Sequence, residues 1–193
     1  MDKKYFLLRS ASPFPREELF ALLVENEVDA RDIEFLSSSS LLFKAEVSFY
    51  PRLSRISTYF KLHYPTSQFS ILIAHRHSQF EDRLLESAIA YFPYKACYPN
   101  EVIMKEIGYD NYASYGELMD LFRPAYNEKP IYQTGVAYLA CGLDASLAAK
   151  SLFLHRNTFN YRLNQFKEKT GVDLRDFHNA QLFSIYLSLR GKR

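Results

Sequence analysis

The run Ser146–Leu163, SLAAKSLFLHRNTFNYRL, constrains this chain more than any other segment. Ala148 and Ala149 keep a first helix slim enough for a second to cross it closely. Leu152, Leu154, Phe159, Leu163 and Phe166 recur at helical spacing as the seam that the pair would bury. The second helix then opens on polar and basic side chains. Two helices meeting at a tight corner, the second polar on its outer face, make a helix-turn-helix of the kind that enters a DNA major groove.

The residue types on that face suit the task. His155, Arg156, Asn157, Thr158, Asn160, Tyr161 and Asn164 lie on it or at its N-terminus, with Arg162 and Lys167 on the flanks. Arginine forks onto guanine O6 and N7 and asparagine onto adenine N6 and N7, while Thr, Tyr and free backbone N–H groups at a helix start suit phosphate oxygens. These nine side chains are the candidate DNA-binding set, with base contact expected of Arg156 and phosphate contact of Lys167.

Short amphipathic helices with a tight connection also occur in bundles that touch no nucleic acid, and the charge distribution separates the two readings. From Ile131 to Arg193 there are nine Lys and Arg against four Asp and Glu, a net of +5. Residues 1–130 hold fifteen basic and eighteen acidic side chains, a net of −3. The overall +2 therefore hides a basic C-terminal module behind an acidic N-terminal one, an asymmetry that is an electrostatic footprint for a phosphate backbone.

Leu139, Gly142, Ala148-Ala149, Leu152, His155-Arg156-Asn157-Thr158, Tyr161-Arg162-Leu163 and Thr170-Gly171-Val172-Asp173-Leu174, followed by an apolar helix through Leu182 to Leu189, resemble the C-terminal module of PucR/CdaR-type bacterial transcriptional regulators. The resemblance covers about Tyr132 to Leu189 and rests most heavily on the HRNTxxYRL run. It implies a DNA-binding regulator. The corner also resembles the DNA-binding end of Fis, which implies that Arg156, Thr158 and Arg162 lie at the DNA. Two positions depart from pattern: Phe159 stands where Leu is usual, and Phe153 occupies a corner position where many helix-turn-helix proteins place Gly. A non-glycine residue there calls for a less common backbone conformation.

The length, 193 residues, accommodates one medium domain or two small ones. Cys97 and Cys141 lie far apart with no metal-ligand spacing, and read as reduced thiols. The apolar run before Arg9 is too short for a signal peptide and no membrane-spanning stretch follows, so a cytoplasmic protein without membrane attachment is expected.

The N-terminal part alternates. Tyr5–Leu8 reads as a strand, 15–25 as a helix opened by Pro15, and Ile33–Leu36 with Leu41–Phe49 as a hairpin around four serines. A helix from Pro51 to about His63, a strand Phe69–Ala74 and a helix Gln79–Phe92 follow. Cys97–Ile107 reads as a further strand and Ser114–Phe122 as a connecting helix, with Pro124 and Pro130 bracketing a linker.

The order β-α-β-β-α-β is that of a ferredoxin-like split βαβ unit. It also resembles, in topology alone, degenerate nucleotide-cyclase-like (GGDEF-type) domains. A working cyclase holds metal ions on hairpin carboxylates, whereas this hairpin offers Ser37-Ser38-Ser39-Ser40, so catalysis of that kind is not expected.

The expected fold class is thus α+β, with a ferredoxin-like or degenerate GGDEF-like regulatory and dimerisation domain at 1–126 and an all-α helix-turn-helix domain at 131–193. Neither a cofactor nor a bound metal is expected: His75 and His77 share one side of a strand end but lack a third ligand nearby. Glu17-Glu18 and Glu81-Asp82 read as helix-start charges. Expected partners are double-stranded DNA and a second copy of the chain, since a single helix-turn-helix usually relies on a dimer. An unidentified small-molecule effector is compatible with the aromatic content. The alternative is a small-molecule sensor or enzyme-like α+β domain whose helical tail serves dimerisation. A third reading is an interaction adaptor with a disabled DNA module.

Overall fold

The computed structural model describes residues 3–191; Met1, Asp2, Lys192 and Arg193, three of them charges in the count above, lie outside those residues. The chain divides into two compact units, 1–111 and 112–193.

The first unit is built on a mixed sheet. Its strands are β1 (Lys4–Ser10), β2 (Ile33–Phe35), β3 (Ser40–Ala45), β4 (Phe69–Ala74) and β5 (Lys95–Cys97), in the order β2-β3-β1-β4-β5. Pairings among the first four are antiparallel, and β5 joins β4 in parallel. Strand alternation sends Phe6, Leu8, Leu41, Phe43, Phe69, Ile71 and Ile73 to one face, where they pack with α1 (Arg16–Glu25) and α2 (Leu53–His63) through Leu19, Leu23, Ile56 and Phe60.

Leu7, Leu42 and Leu72 point the other way and are equally buried. α3 (Gln79–Tyr91) packs against β4 and β1, and the Ser70 hydroxyl donates to the carbonyls of Ala88 and Phe92. Burial on both faces explains why β4 reads FSILIA without alternation. In the serine hairpin, the Ser39 N–H donates to Ser37 Oγ and the Ser37 N–H to the Ser40 carbonyl, so hydroxyls supply the turn contacts that Asn-Gly would otherwise make.

Three expectations are corrected. The hairpin's second strand ends at Ala45, because Val47–Arg52 turns into a 3₁₀ segment that contains Pro51. The strand expected at Cys97–Ile107 survives only as β5; from Pro99 to Gly108 the chain is α4, with Pro99 in the first turn and the Tyr98 N–H donating to Glu101 Oε2 at 2.8 Å. No linker forms between Pro124 and Pro130. Pro124 lies inside α5 (Tyr115–Tyr126), and Pro130 sits in the first turn of α6 (Lys129–Ala140), where its missing N–H costs nothing.

The division between units accordingly falls at 111/112, ahead of the expected 126–131, because α5 belongs to the helical unit. Its Phe122 is fully buried with ring centroids 5.0 Å from Phe183, 4.8 Å from Tyr186 and 6.1 Å from Phe166. With this boundary the second unit holds eleven basic and seven acidic residues and the first thirteen and fifteen, so the sign asymmetry persists at +4 against −2. Among the described residues no helix is long and apolar enough to cross a membrane.

Candidate nucleic-acid interface

Three helices complete the second unit: α7 (Ala145–Ser151), α8 (Arg156–Thr170) and α9 (Phe177–Arg190). Each starts on a side-chain cap. Asp144 Oδ1 accepts from the backbone N–H of Ser146 and Leu147 at 2.8 and 3.0 Å, His155 Nδ1 from Asn157 at 3.2 Å, and Asp176 Oδ1 from His178 and Asn179.

The corner between α7 and α8 closes with two backbone bonds. The Leu154 N–H reaches the Ala149 carbonyl at 2.9 Å and the Phe153 N–H the Lys150 carbonyl at 3.0 Å, the pairing that ends a helix when the residue after its cap is left-handed. That residue is Phe153, at φ +56°, with its side chain 98% exposed. Among the described residues the ring therefore packs on nothing, while its Cβ strains the backbone. Phe153→Gly should raise stability by about 0.5–1 kcal/mol, the relief of left-handed strain less the extra freedom of unfolded glycine. A thermal melt showing no gain would mean that the corner is not held left-handed in solution.

α8 has two distinct sides. Phe159, Leu163, Phe166 and Thr170 are buried, and α6 approaches so closely that a Cβ on Gly135 would stand 3.0 Å from both Phe166 and Phe183. His155, Arg156, Asn157, Thr158, Tyr161, Asn164 and Lys167 are exposed, and Asn160 and Arg162 are half-buried at the edges of the buried stripe. At 100° per residue, Asn157, Tyr161 and Asn164 share the pole opposite the core, Arg156, Asn160 and Lys167 lie on one flank, and Thr158 and Arg162 on the other. Helix geometry thus spreads the expected residues of α8 from one edge of the buried stripe round to the other, with His155 at the N-cap.

Their commitments differ. Among the described residues, the side chains of Arg156, Thr158, Asn160 and Arg162 make no hydrogen bond or ion pair with the chain. His155 has a structural duty as cap, and an acceptor at Nδ1 requires that this nitrogen carry no proton. The Tyr161 hydroxyl accepts from Gln165 Nε2 at 3.1 Å. Lys167 Nζ is 3.2 Å from Asp173 Oδ2, and Asn164 Oδ1 accepts from Arg175 Nη2 at 2.8 Å. The connection after α8 therefore grips its far half, a contact that residue spacing within the helix could not reveal. Of the histidine pair at the β4 end, His77 Nε2 bonds Asp82 Oδ1 at 2.8 Å, as a helix-start contact rather than a ligand pair.

Asp173 is the centre of that grip. Burial alone would raise its carboxyl, but the Arg175 N–H, the Lys167 ammonium and the Arg175 guanidinium outweigh burial and hold it below its ordinary value. The folded chain thus binds this proton more weakly than the unfolded chain does. The resulting stabilisation is complete above the ordinary carboxylate range and is lost as pH falls through it and below. Melts of wild type and Asp173→Asn should differ at about pH 7 and draw together as pH falls through and below the ordinary carboxylate range; a pH-independent difference would show that the carboxylate charge is not what holds the loop.

Comparison with known proteins agrees with this geometry. Residues 132–190 match the PucR C-terminal helix-turn-helix domain family. The chain is 30% identical over 107 residues to the carbohydrate diacid regulator of Escherichia coli (strain K12), covering 52% of this chain and 28% of that protein. It is 39% identical over 56 residues to the proline-responsive transcriptional activator PutR of Bacillus subtilis (strain 168), covering 29% of this chain and 14% of that one. The chain thus spans less than a third of the length of either relative. A crystal structure of the regulator of polyketide synthase expression from Bifidobacterium adolescentis aligns with all of this chain and 83% of its own length, at 19% identity and a TM-score of 0.46. Residues 132–190 thus resemble a PucR C-terminal helix-turn-helix domain, and part of the chain is similar to part of each of two transcriptional regulators.

Proposed function

We propose that the chain is a sequence-specific DNA-binding regulator that acts as a homodimer, with α8 as the helix placed in the major groove. The observation that carries this reading is the division of α8, apolar and buried on one side, with Asn157 and Tyr161 exposed at the opposite pole and Arg156, Thr158, Asn160 and Arg162 on the flanks between. Arg156, at the helix start and without an ion pair among the described residues, is the base reader; Thr158, Arg162 and the first backbone N–H groups meet phosphate. Asn164 shares the outer pole, and His155 and Lys167 border the same surface.

A single helix-turn-helix covers little DNA, and two copies spanning half-sites one helical turn apart supply the missing contacts. The first unit serves assembly or regulation rather than catalysis. Its strand order β2-β3-β1-β4 with antiparallel pairing supports the ferredoxin-like reading, with β5 added at the edge, and the serine hairpin argues against the metal chemistry of an active cyclase.

The test is selection of sites from a random duplex pool by the full-length chain, followed by binding measurements. An enriched two-fold symmetric sequence is expected. Arg156→Ala should bind it about 1–3 kcal/mol more weakly and relax preference at one base pair per half-site, with an unchanged melting temperature. No enrichment, or an Arg156→Ala variant with lower stability and intact selectivity, would remove the assignment.

A further inference from the structure

From the contact between Asn164 and the connection after α8, we infer that Arg175 is a positioning residue that fixes the Asn164 amide with its NH₂ group presented to the base, as a reader of guanine. The inference rests on α8 being the helix that meets DNA. An asparagine amide normally offers a base one donor and one acceptor, which is the pattern adenine matches with N7 and N6. Here the carbonyl is turned toward Arg175, whose Nη2 donates to Asn164 Oδ1 at 2.8 Å and fills one of its lone pairs, so the NH₂ group is on the other side. Guanidinium has no acceptor, so an amide turned the other way would set donor against donor, and the orientation follows from chemistry alone.

Arg175 is itself held. Its Nη1 donates to Asp173 Oδ1 at 3.2 Å, its backbone N–H to the same oxygen at 3.1 Å, and Asp173 Oδ2 is engaged by Lys167. The Asn164 side chain is exposed on the outer pole of α8, with its NH₂ group remaining for an incoming partner. Two N–H donors meet two acceptors on guanine, O6 and N7. Adenine would bring its own N6 donor against them, and thymine offers a single acceptor beside a methyl group.

The measurement is competition binding by the full-length chain to its selected site and to variants of that site with each base pair changed. Wild type, Asn164→Ala, Arg175→Ala, Arg175→Lys and the Asn164→Ala/Arg175→Ala double variant are compared. Wild type should prefer G over A by about tenfold at one base pair per half-site. Asn164→Ala and Arg175→Ala should both reduce that preference to about twofold or less at the same base pair, and the double variant should go no further. Arg175→Lys, which keeps a donor and the charge, should retain part of the preference.

Losses at different base pairs, or a uniform loss of affinity in Arg175→Ala with base preference intact, would overturn the inference and leave Arg175 a phosphate contact. Absence of any selected site would remove the DNA-binding reading itself. Selective binding that is indifferent to Asn164→Ala would remove only this inference.

Discussion

Phe183→Ala should destabilise the helical unit by about 3–5 kcal/mol, the usual cost of deleting a buried aromatic ring and leaving its cavity. Phe183 is fully buried, with ring centroids 5.0 Å from Phe122, 5.0 Å from Phe166, 5.7 Å from Tyr186 and 6.1 Å from Tyr132. It thereby ties α9 to α5, α6 and α8 at once. Total stabilities of about 5–15 kcal/mol make this a large fraction, and at about 4–8 °C per kcal/mol for a unit of this size the helical transition should fall by roughly 12 °C or more.

The site makes the cavity hard to refill. Gly135 already packs its backbone against Phe166 and Phe183, and a Cβ there would stand 3.2 Å from Leu174 Cδ1, so the neighbouring helix is close with no side chain to swing in. Phe183→Leu should recover part of the loss by keeping most of the volume. Duplex DNA binding should disappear at the lowered transition, because the outer face of α8 exists only while its inner face is packed. A shift of only a degree or two would mean that the aromatic cluster is not what holds α8 in place.

The same packing explains what could be read in advance. Phe159, Leu163 and Phe166 recur at the spacing of one helix face, so the buried side of α8 and, by subtraction, its polar side followed from the residues in order. The left-handed corner at Phe153 was legible as a departure from glycine, since sterics tie that conformation to the residue type. β1 through β4 and the helices between them were legible because runs of β-branched, leucine and aromatic residues are punctuated by Pro and Ser.

Longer-range contacts decided the rest. α4 was hidden because an apolar run of this length suits a strand as well as a helix, and what starts the helix is Pro99 in its first turn and a bond that joins Tyr98 to Glu101. Pro124 and Pro130 suggested a break, yet the burial of Phe122 holds α5 against the helical core across Pro124. Arg175 went unnoticed as part of the site because its partner, Asn164, lies eleven residues earlier and meets it only when the chain turns back after Gly171.

Binding of the full-length chain to duplex DNA should weaken steeply with salt, and the slope should report how many copies engage. Each Lys or Arg that neutralises a phosphate releases condensed counterions, so log K falls with log salt by about 0.9 per contact. Three to five contacts per copy would give a slope of about −3 to −4.5 for a single chain and about −5 to −9 for a dimer. The dimer would then lose about 10³–10⁵ in affinity between roughly 50 and 200 mM salt.

The internal ion pairs rank the contributors. Arg162, on the flank of α8 without a partner among the described residues, should lower the slope by about one unit per copy when replaced by Ala. Lys167 faces Asp173 at 3.2 Å and Lys169 pairs with Glu128, so a phosphate must compete with a carboxylate for either ammonium. Lys167→Ala should therefore reduce the slope by less than Arg162→Ala, and Asp173→Asn should enhance Lys167's share rather than remove it. A flat salt response would end the DNA reading, and a slope that stays near −3 at saturating protein would end the dimer.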